Sequence, residues 1–140
     1  NMFVENGKTI LNVEDRDGNI KSYSASEKYG TFKITEPYVL LVNEGSASAS
    51  EILAAALKES ADAKLIGKKT YGKGTVQTIF PSLDDEGIKV TIAKYHTPSD
   101  RVIDGTGIKP DVEIDLPKGV HPSSTLDDIQ IKKALELLQQ

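Results

Sequence analysis

Several kinds of residue and segment are missing from this 140-residue sequence, and each absence removes a class of structure or site. There is no cysteine, so disulfides, thiolate metal sites and cysteine nucleophiles are excluded together. No apolar run approaches the roughly 20 residues that a helix needs to cross a membrane, and no signal peptide is visible. The formal net charge is −4 and there is no basic stripe, so nothing indicates nucleic-acid binding.

The composition is that of an ordinary globular domain. Hydrophobic residues make up 38% and charged residues 27% of the chain, both close to the averages of folded proteins. One domain is therefore expected, and disorder is disfavoured. The chain opens at Asn1 and enters strand-like sequence almost at once, which indicates a piece of a longer protein. A signal segment would then belong to the part that precedes it.

The apolar pattern predicts an α/β fold built around one β–α–β unit. Residues 38–42 form a continuous apolar run rich in β-branched side chains, which is typical of a strand buried on both faces. An alanine-rich helix is expected at 49–60, with Leu53 and Leu57 facing the core. A short strand is expected at 64–67. This order implies parallel strands joined by a right-handed helical crossover.

The remaining elements are expected to be shorter. Residues 9–25 predict a β-hairpin around a turn-rich connector. Further strands are predicted at 31–34, 75–80, 88–94, 102–103 and 112–114, with a connector at 82–87 and a loop at 117–124. A terminal helix is predicted at about 126–138, with Thr125 or Asp127 as its cap.

The segment from Asn43 to Glu51 admits two interpretations. A strand that passes through small residues into a helix places a side chain at the helix N-terminus, where free N–H groups and the helix dipole stabilise negative charge. Ser48 could act there as a nucleophile whose oxyanion finds donors already in place. The same residues fit a capping box, with Ser48 as the cap and Glu51 three residues on. Locally, the cap is the commoner role.

Lys73 is the candidate base, because a serine hydroxyl is a poor nucleophile without one. Gly72 and Gly74 would give this lysine a close and flexible approach, and burial beside the alanine-rich helix would favour the neutral amine. Gln77 would share a face with Lys73 if the following strand is regular back to the lysine. The alternative is an ordinary exposed lysine in a glycine-rich turn.

Other features point to different chemistry and fit it less well. Residues 67–73 match the first seven positions of a phosphate-binding loop, but Gly74 stands where a Ser or Thr should reach magnesium, and a strand pattern follows instead of a helix. Phosphate binding at 67–74 is therefore the weaker hypothesis. His96 and His121 have no clear orienting carboxylate and are expected to be surface or packing residues. No His-Glu-x-x-His zinc motif occurs.

Several motifs occur in a recognisable order along the chain. They are VNEGSASASEI at 42–52, GKKTYGKGTVQ at 67–77, AKYHTPS at 93–99 and GTGIKPD at 105–111. In kind, order and separation they closely resemble the C-terminal processing protease (tail-specific protease) family. The resemblance is dense from about 38 to 114 and loose outside that range.

This resemblance implies a serine endopeptidase with a Ser/Lys dyad. Ser48 matches the nucleophile, Lys73 the base and Gln77 the residue that supports the lysine, and the spacing between the first two matches the family. The backbone N–H of Ala49 matches one oxyanion donor. The implied fold is a crotonase/ClpP-like α/β arrangement of β–β–α units, followed by a C-terminal helix. No metal or organic cofactor is implied.

The departures from the family pattern predict an incomplete enzyme. The chain would be the C-terminal part of the protease domain, with its catalytic portion at about 38–114. The PDZ domain that receives the substrate's C-terminus is not in this sequence, nor is the Gly-Gly segment that supplies the second oxyanion donor. Little activity is therefore expected of the chain alone. Asp100 stands where the family usually has glycine, in a turn that should tolerate it.

The resemblance also sets expectations about partners and location. Substrates would be proteins or peptides selected by their C-terminal tails, and no nucleic-acid partner is expected. The location would be extracytoplasmic, in the periplasm, the cell envelope or the secreted fraction, with membrane anchoring only through a segment outside this chain. Exposed strand edges make an oligomer a further expectation. The alternative function is a non-catalytic interaction domain on the same fold, with Ser48 as a helix cap.

Overall fold

The computed structural model describes residues 2–81, 86–121 and 127–139. In this part of the chain two sheets and two helices form an α/β fold, which confirms the predicted class. The strands are β1 (Thr9–Asp15), β2 (Ile20–Ser24), β3 (Val39–Val42), β4 (Lys64–Gly67), β5 (Thr75–Pro81), β6 (Gly87–His96) and β7 (Val112–Glu113), and the helices are α1 (Ala49–Ser60) and α2 (Ile129–Leu138). Within the described ranges, neither helix combines the length and the apolar character needed to cross a bilayer.

The first sheet is antiparallel and has the strand order β2-β1-β6-β5. Its first two strands are the predicted hairpin, closed by Asp15, whose Oδ1 accepts from the N–H groups of Asp17 and Asn19 at 2.9 Å each. The long strand β6 pairs with β1 on one side and with β5 on the other. Most of the predicted connector at 82–87 lies outside the described residues.

The second sheet is parallel, in the order β3-β4-β7, and it contains the predicted β–α–β unit. β3 and β4 pair from Val39 with Lys64 to Val42 with Gly67, and α1 makes the crossover between them. Small alanines let α1 approach the strands closely. The core formed in this way consists of buried residues from β3, α1, β4 and the 103–108 loop, namely Val42, Ala54, Ala55, Leu65, Ile103 and Ile108.

Of the predicted strands, the one at 31–34 is absent and the one at 102–103 is shortened. Residues 31–34 form no strand in the structure, although Ile34 N–H donates to the Met2 carbonyl at 2.9 Å. Phe32 is exposed. The strand predicted at 102–103 is reduced to one bridge between Val102 and His96.

The terminal helix begins later than predicted. Its first residue is Ile129, and the cap is Asp128, whose Oδ1 accepts from the N–H groups of Gln130 at 2.8 Å and Ile131 at 3.3 Å. The proposed cap Asp127 is therefore wrong by one residue. The other proposed cap, Thr125, lies outside the described residues.

The prediction that the strand at 38–42 is buried on both faces is wrong for this chain. β3 is an edge strand of its sheet, and Leu41 is 42% exposed. Leu53, predicted to face the core from the helix, is 45% exposed. Apolar side chains at these two positions therefore lie on an open part of the surface, and the helix contributes to the core through Ala54, Ala55, Ala56 and Leu57.

Candidate active site

Ser48 lies at the point where the chain leaves β3 and enters α1. The turn between the two elements is closed by its own hydrogen bonds. The backbone carbonyl of Asn43 accepts from Ser46 N–H at 2.9 Å, and the side-chain Oδ1 of Asn43 accepts from Gly45 N–H at 2.9 Å. The Ser46 hydroxyl in turn accepts from Asn43 N–H at 3.1 Å. Ser46 is thereby occupied with the turn, and the turn fixes where Ser48 starts the helix.

The backbone of Ser48 has dihedral angles that a residue with a Cβ rarely adopts. Its φ is 55° and its ψ is −114°, next to a regular helix that begins at Ala49. Conformations of this kind cost about 1–3 kcal/mol and persist only where the surroundings enforce them. A sharp, strained strand-to-helix turn is also the arrangement that presents the nucleophilic serine of α/β-hydrolases.

The hydroxyl of Ser48 faces the Glu51 N–H as in a capping box, but it does not complete a hydrogen bond to that group. Ser48 and Glu51 occupy the two positions of a capping box, and the Glu51 carboxylate completes its half by accepting from Ser48 N–H at 3.0 Å. Glu51 N–H donates to the Ser48 carbonyl at 2.9 Å, and the Ser48 side chain makes no capping hydrogen bond. A half-buried hydroxyl is thus left available at the helix N-terminus.

Replacing Ser48 by glycine is expected to stabilise the protein. Glycine adopts positive φ without a Cβ penalty, and this gain should exceed its larger unfolded-state entropy, giving a net rise of about 1 kcal/mol in the free energy of unfolding. Urea unfolding measures the change. Ser48→Ala keeps the Cβ and is the matched control, expected to remain close to the parent. A glycine variant less stable than the alanine variant would show that the backbone at this position is not strained.

Ala49, the first residue of α1, presents a backbone N–H without an internal acceptor among the described residues. The first N–H groups of a helix have no partner within it and carry the positive end of the helix dipole. This position directly follows Ser48, as an oxyanion donor requires. Its role in stabilising an oxyanion stays a prediction.

Lys73 lies in the segment that leads into β5, between two buried glycines. A Cβ on Gly74 would come within 2.3 Å of Asp104 N, and one on Gly72, whose φ is 92°, within 3.1 Å of Gly107 N. The glycines therefore let the segment pack tightly against residues 104–107. The tight packing of both glycines does not match the flexible approach predicted for Lys73. Lys73 is exposed in this chain, and its burial stays a prediction for the full-length protein.

One carboxylate brings the Ser48 and Lys73 segments together. Oε2 of Glu51 accepts from Ser48 N–H at 3.0 Å and from Lys73 N–H at 2.8 Å, so the two backbones meet at a single atom. In addition, Tyr71 N–H donates to the Ser46 carbonyl at 3.0 Å. Among the described residues, no hydrogen bond joins Ser48 Oγ to Lys73 Nζ. The segments are assembled, whereas the two reactive side chains are not in hydrogen-bond contact.

Gln77 makes no hydrogen bond to Lys73 among the described residues. β5 begins at Thr75 and has an irregularity between Val76 and Gln77, so the regular alternation assumed back to Lys73 is absent. The Gln77 side-chain amide donates instead to Thr91 Oγ1 on the neighbouring strand, at 3.4 Å. Support of the lysine by Gln77 stays a prediction.

His96 has orienting carboxylates that the sequence did not reveal, but it is not placed to serve Ser48. Its Nδ1 lies 2.8 Å from Asp100 Oδ1 and its Nε2 lies 2.9 Å from Glu14 Oε2, within the buried junction of β6, β1 and the following turn. Nδ1 is hydrogen-bonded to Asp100, whereas Nε2 lies close to Glu14 without a hydrogen bond in the described part of the chain. Asp100 has a φ of 62°, which explains why glycine is usual there. His121 is exposed, as expected.

A cleft of about 560 Å³ opens beside the Ser48 turn. One wall is formed by residues 43–45 and the other by residues 115–120. Lys68 crosses it, with Nζ 3.1 Å from Asp115 Oδ2 and 3.2 Å from Glu44 Oε1, and these hydrogen bonds raise the pKa of Lys68 above its ordinary value. Within the described ranges, no group of three or more acidic or histidine side chains has the arrangement of a metal site.

Comparison with known proteins places these features in a family. The family model described as peptidase family S41 matches residues 1–114. The carboxy-terminal processing protease CtpA of Bacillus subtilis is 45% identical over 117 residues, which cover 84% of this chain and 24% of the relative. The carboxyl-terminal-processing protease of Synechocystis is 43% identical over 131 residues, covering 93% and 30%.

The solved structure of a photosystem II D1 C-terminal processing protease has the same fold. It superposes with a TM-score of 0.72 at 40% sequence identity, over 81% of this chain and 29% of the other. The chain thus spans 24–30% of the length of these three proteins.

Proposed function

The chain belongs to peptidase family S41, and on that premise we propose that it supplies the nucleophile and the base of a serine endopeptidase that processes carboxyl-terminal tails. The observation that carries this proposal is the shared acceptor. Glu51 Oε2 binds the backbone N–H groups of Ser48 and Lys73 together, which is the juxtaposition a Ser/Lys dyad needs. The strained backbone and uncapped hydroxyl of Ser48 support it.

The proposed reaction is acyl transfer through Ser48. Neutral Lys73 takes the proton from Ser48 Oγ, the oxygen attacks the scissile carbonyl, and the proton passes to the leaving amine as an acyl-enzyme forms. The Ala49 N–H stabilises the oxyanion, and Gln77 holds the amine of Lys73 in position. Water then attacks the acyl-enzyme, Lys73 takes a proton from the water and passes it to Ser48 Oγ as the acyl bond breaks, and both side chains return to their starting states.

Parts of the enzyme outside this chain complete the proposal. The catalytic portion would be residues 38–114, with the second oxyanion donor and the burial of Lys73 supplied by preceding segments. A PDZ domain would select protein or peptide substrates by their C-terminal tails, and the cleft beside residues 43–45 would receive the chain being cut. The location would be extracytoplasmic, with any membrane anchor outside this chain.

A mechanism-based serine acylator tests the proposal in the full-length protein. The label is expected on Ser48 alone, and peptide mapping by mass spectrometry distinguishes it from Ser46 and Ser50. Lys73→Ala should abolish the labelling, because the hydroxyl loses its base. Labelling at another serine, or at none, would favour a non-catalytic role.

The second candidate function is a non-catalytic interaction domain on the same fold. The exposure of Lys73 and the missing hydrogen bond between Ser48 Oγ and Lys73 Nζ are the observations that favour it. Phosphate binding at 67–74 is disfavoured, because the N–H groups of Lys73 and Gly72 already donate to Glu51 and that of Gly74 donates to Asp104 Oδ1.

A further inference from the structure

The carboxylate of Glu51 is completely buried, with 0% of the residue exposed. Removing a carboxylate from water costs several kcal/mol unless other groups replace its hydration. No cation is paired with Glu51 in the described part of the chain. Four hydrogen-bond donors satisfy the group instead, namely Ser48 N–H at 3.0 Å, Thr70 Oγ1–H at 2.6 Å, Gly72 N–H at 2.6 Å and Lys73 N–H at 2.8 Å.

Capping of α1 accounts for only one of these four bonds. A glutamate at the third position of a helix needs to reach only the N–H of the cap residue, which here is Ser48. The other three donors come from Thr70, Gly72 and Lys73, which lie 19, 21 and 22 residues further along the chain. The side chain therefore links two separate segments, and the link ends at the candidate base.

The two carboxylate oxygens have different partners. Oε1 accepts from Thr70 and Gly72 and so holds the 70–72 stretch against the helix. Oε2 accepts from Ser48 and Lys73, whose backbone nitrogens can lie no further apart than the sum of those two hydrogen-bond lengths. Because the carboxylate is planar and rigid, fixing one oxygen fixes the other. The register between the two residues is thus set by this side chain together with the hydrogen bond from Tyr71 N–H to the Ser46 carbonyl.

The 70–73 stretch is also held from its other side. Thr70 N–H donates to the Ile108 carbonyl at 3.1 Å, and the Thr70 hydroxyl accepts from Ile108 N–H at 2.7 Å. Gly105 N–H donates to the Gly72 carbonyl at 2.9 Å. The loop around 105–108 therefore supports the stretch from behind, whereas Glu51 and the hydrogen bond from Tyr71 N–H to the Ser46 carbonyl hold it against the Ser48 turn.

We propose that Glu51 is a positioning residue, which sets the distance between Ser48 and Lys73 for proton transfer. This inference rests on the proposed function. Glu51 is buried beneath both segments and acts only through the backbone of the two reactive residues, so it is not itself catalytic. It should affect the chemical step and leave substrate binding unchanged.

Glu51→Gln in the full-length enzyme is the direct test. In either orientation of the amide, its NH₂ group replaces one of the two carboxylate oxygens. The NH₂ group cannot accept the N–H or O–H hydrogen bonds that the oxygen accepted, so the two segments must separate. A misplacement of about 1 Å at a reacting centre costs about a hundredfold in rate. We expect kcat per folded molecule to fall by about that factor, with KM within about threefold of the parent.

Glu59→Gln is the matched control. Glu59 lies on the same helix, and its carboxylate also bonds a distant segment, accepting from Ser99 N–H at 2.8 Å and from Arg101, but it has no link to Ser48 or Lys73. This variant should lose stability while keeping kcat per folded molecule. A purely structural Glu51 would give the same result in its own variant, which separates the two roles.

Thr70 provides a second and milder pair. Thr70→Ser keeps the hydroxyl that donates to Glu51 Oε1, whereas Thr70→Val removes it with little change in shape. The serine variant should retain kcat and the valine variant should lose about tenfold or more. This pair decides the matter if Glu51→Gln does not fold.

The proposal is overturned if Glu51→Gln matches Glu59→Gln in kcat per folded molecule, or if Thr70→Val matches Thr70→Ser. Ser48→Ala is assayed in parallel to keep two failures apart. If Ser48→Ala remains active, the proposed function fails and the positioning role fails with it. If Ser48→Ala is inactive and Glu51→Gln is fully active, the positioning role alone fails.

Discussion

In the full-length protease, Ser48→Ala and Lys73→Ala should each reduce peptide cleavage to background while leaving the fold intact. Removal of a nucleophilic serine costs at least about 10⁴-fold in turnover. Removal of a general base costs about 10²–10⁴-fold. Neither side chain makes a hydrogen bond that holds the described structure together, so circular dichroism and urea unfolding should show folded variants. Turnover of a C-terminally tagged peptide is the measurement.

Ser50→Ala and Lys69→Ala are the matched controls for this pair. Ser50 and Lys69 are exposed residues close in sequence to the dyad, and both variants should retain activity. The double variant Ser48→Ala/Lys73→Ala should be no worse than the more damaged single variant, because residues that act as a unit are strongly non-additive. Near-normal turnover by Lys73→Ala would exclude the dyad.

The 140-residue chain alone is expected to cleave peptides at least about a hundredfold more slowly than the full-length protease. A missing oxyanion donor has roughly that effect on the chemical step. Only the Ala49 N–H is proposed as a donor from this chain, and Lys73 is exposed and makes no hydrogen bond to the Ser48 hydroxyl. Both features predict slow acylation even though the two segments are assembled.

Comparison of the two proteins on the same peptide, at equal concentrations of folded protein, gives the ratio directly. Ser48→Ala introduced into the 140-residue chain gives the rate of cleavage that does not depend on Ser48. The rate of peptide hydrolysis without protein gives the lower limit of the measurement. Robust cleavage that depends on Ser48 would mean that this chain already contains a complete site. Cleavage that survives in Ser48→Ala would indicate a contaminating protease.

Local patterns predicted the elements that depend on local physics. The apolar run before Asn43 and the alanine-rich segment 49–60 gave one β–α–β unit, and the helix has those bounds in the structure. The sequence patterns gave wrong predictions where the burial of an element depends on residues that are distant in the sequence. Leu41 and Leu53 have the sequence signature of core positions, yet both are more than a third exposed, because burial depends on what packs against them.

The candidate site was predictable only in part for the same reason. Local sequence offered Ser48 as a helix cap, and only its resemblance to a protease motif selected it as a nucleophile. Gly72 and Gly74 were interpreted as freeing Lys73, because the packing loop at 104–107 lies 30 residues away in sequence. Their actual role is to permit close contact of two backbones.

Glu51 is the residue that sequence reasoning missed. Glu51 fitted a capping box. Its three further hydrogen-bond donors could not be inferred, because they lie 19 to 22 residues away in the sequence. One local signal was present: the acid lies on the face of the helix occupied by Ala54 and Ala55, where a carboxylate is out of place. A charged residue on an otherwise buried stripe should prompt a search for distant donors.

The meeting of Ser48 and Lys73 at one oxygen atom has a consequence for protein engineering. A graft of the proposed dyad into another scaffold cannot consist of two side chains, since the two backbone segments are joined through Glu51 and backed by the loop that bonds Thr70. The smallest transferable unit is three discontinuous pieces, residues 43–51, 70–74 and 103–108. The connections between those pieces should accept wide variation in length and sequence.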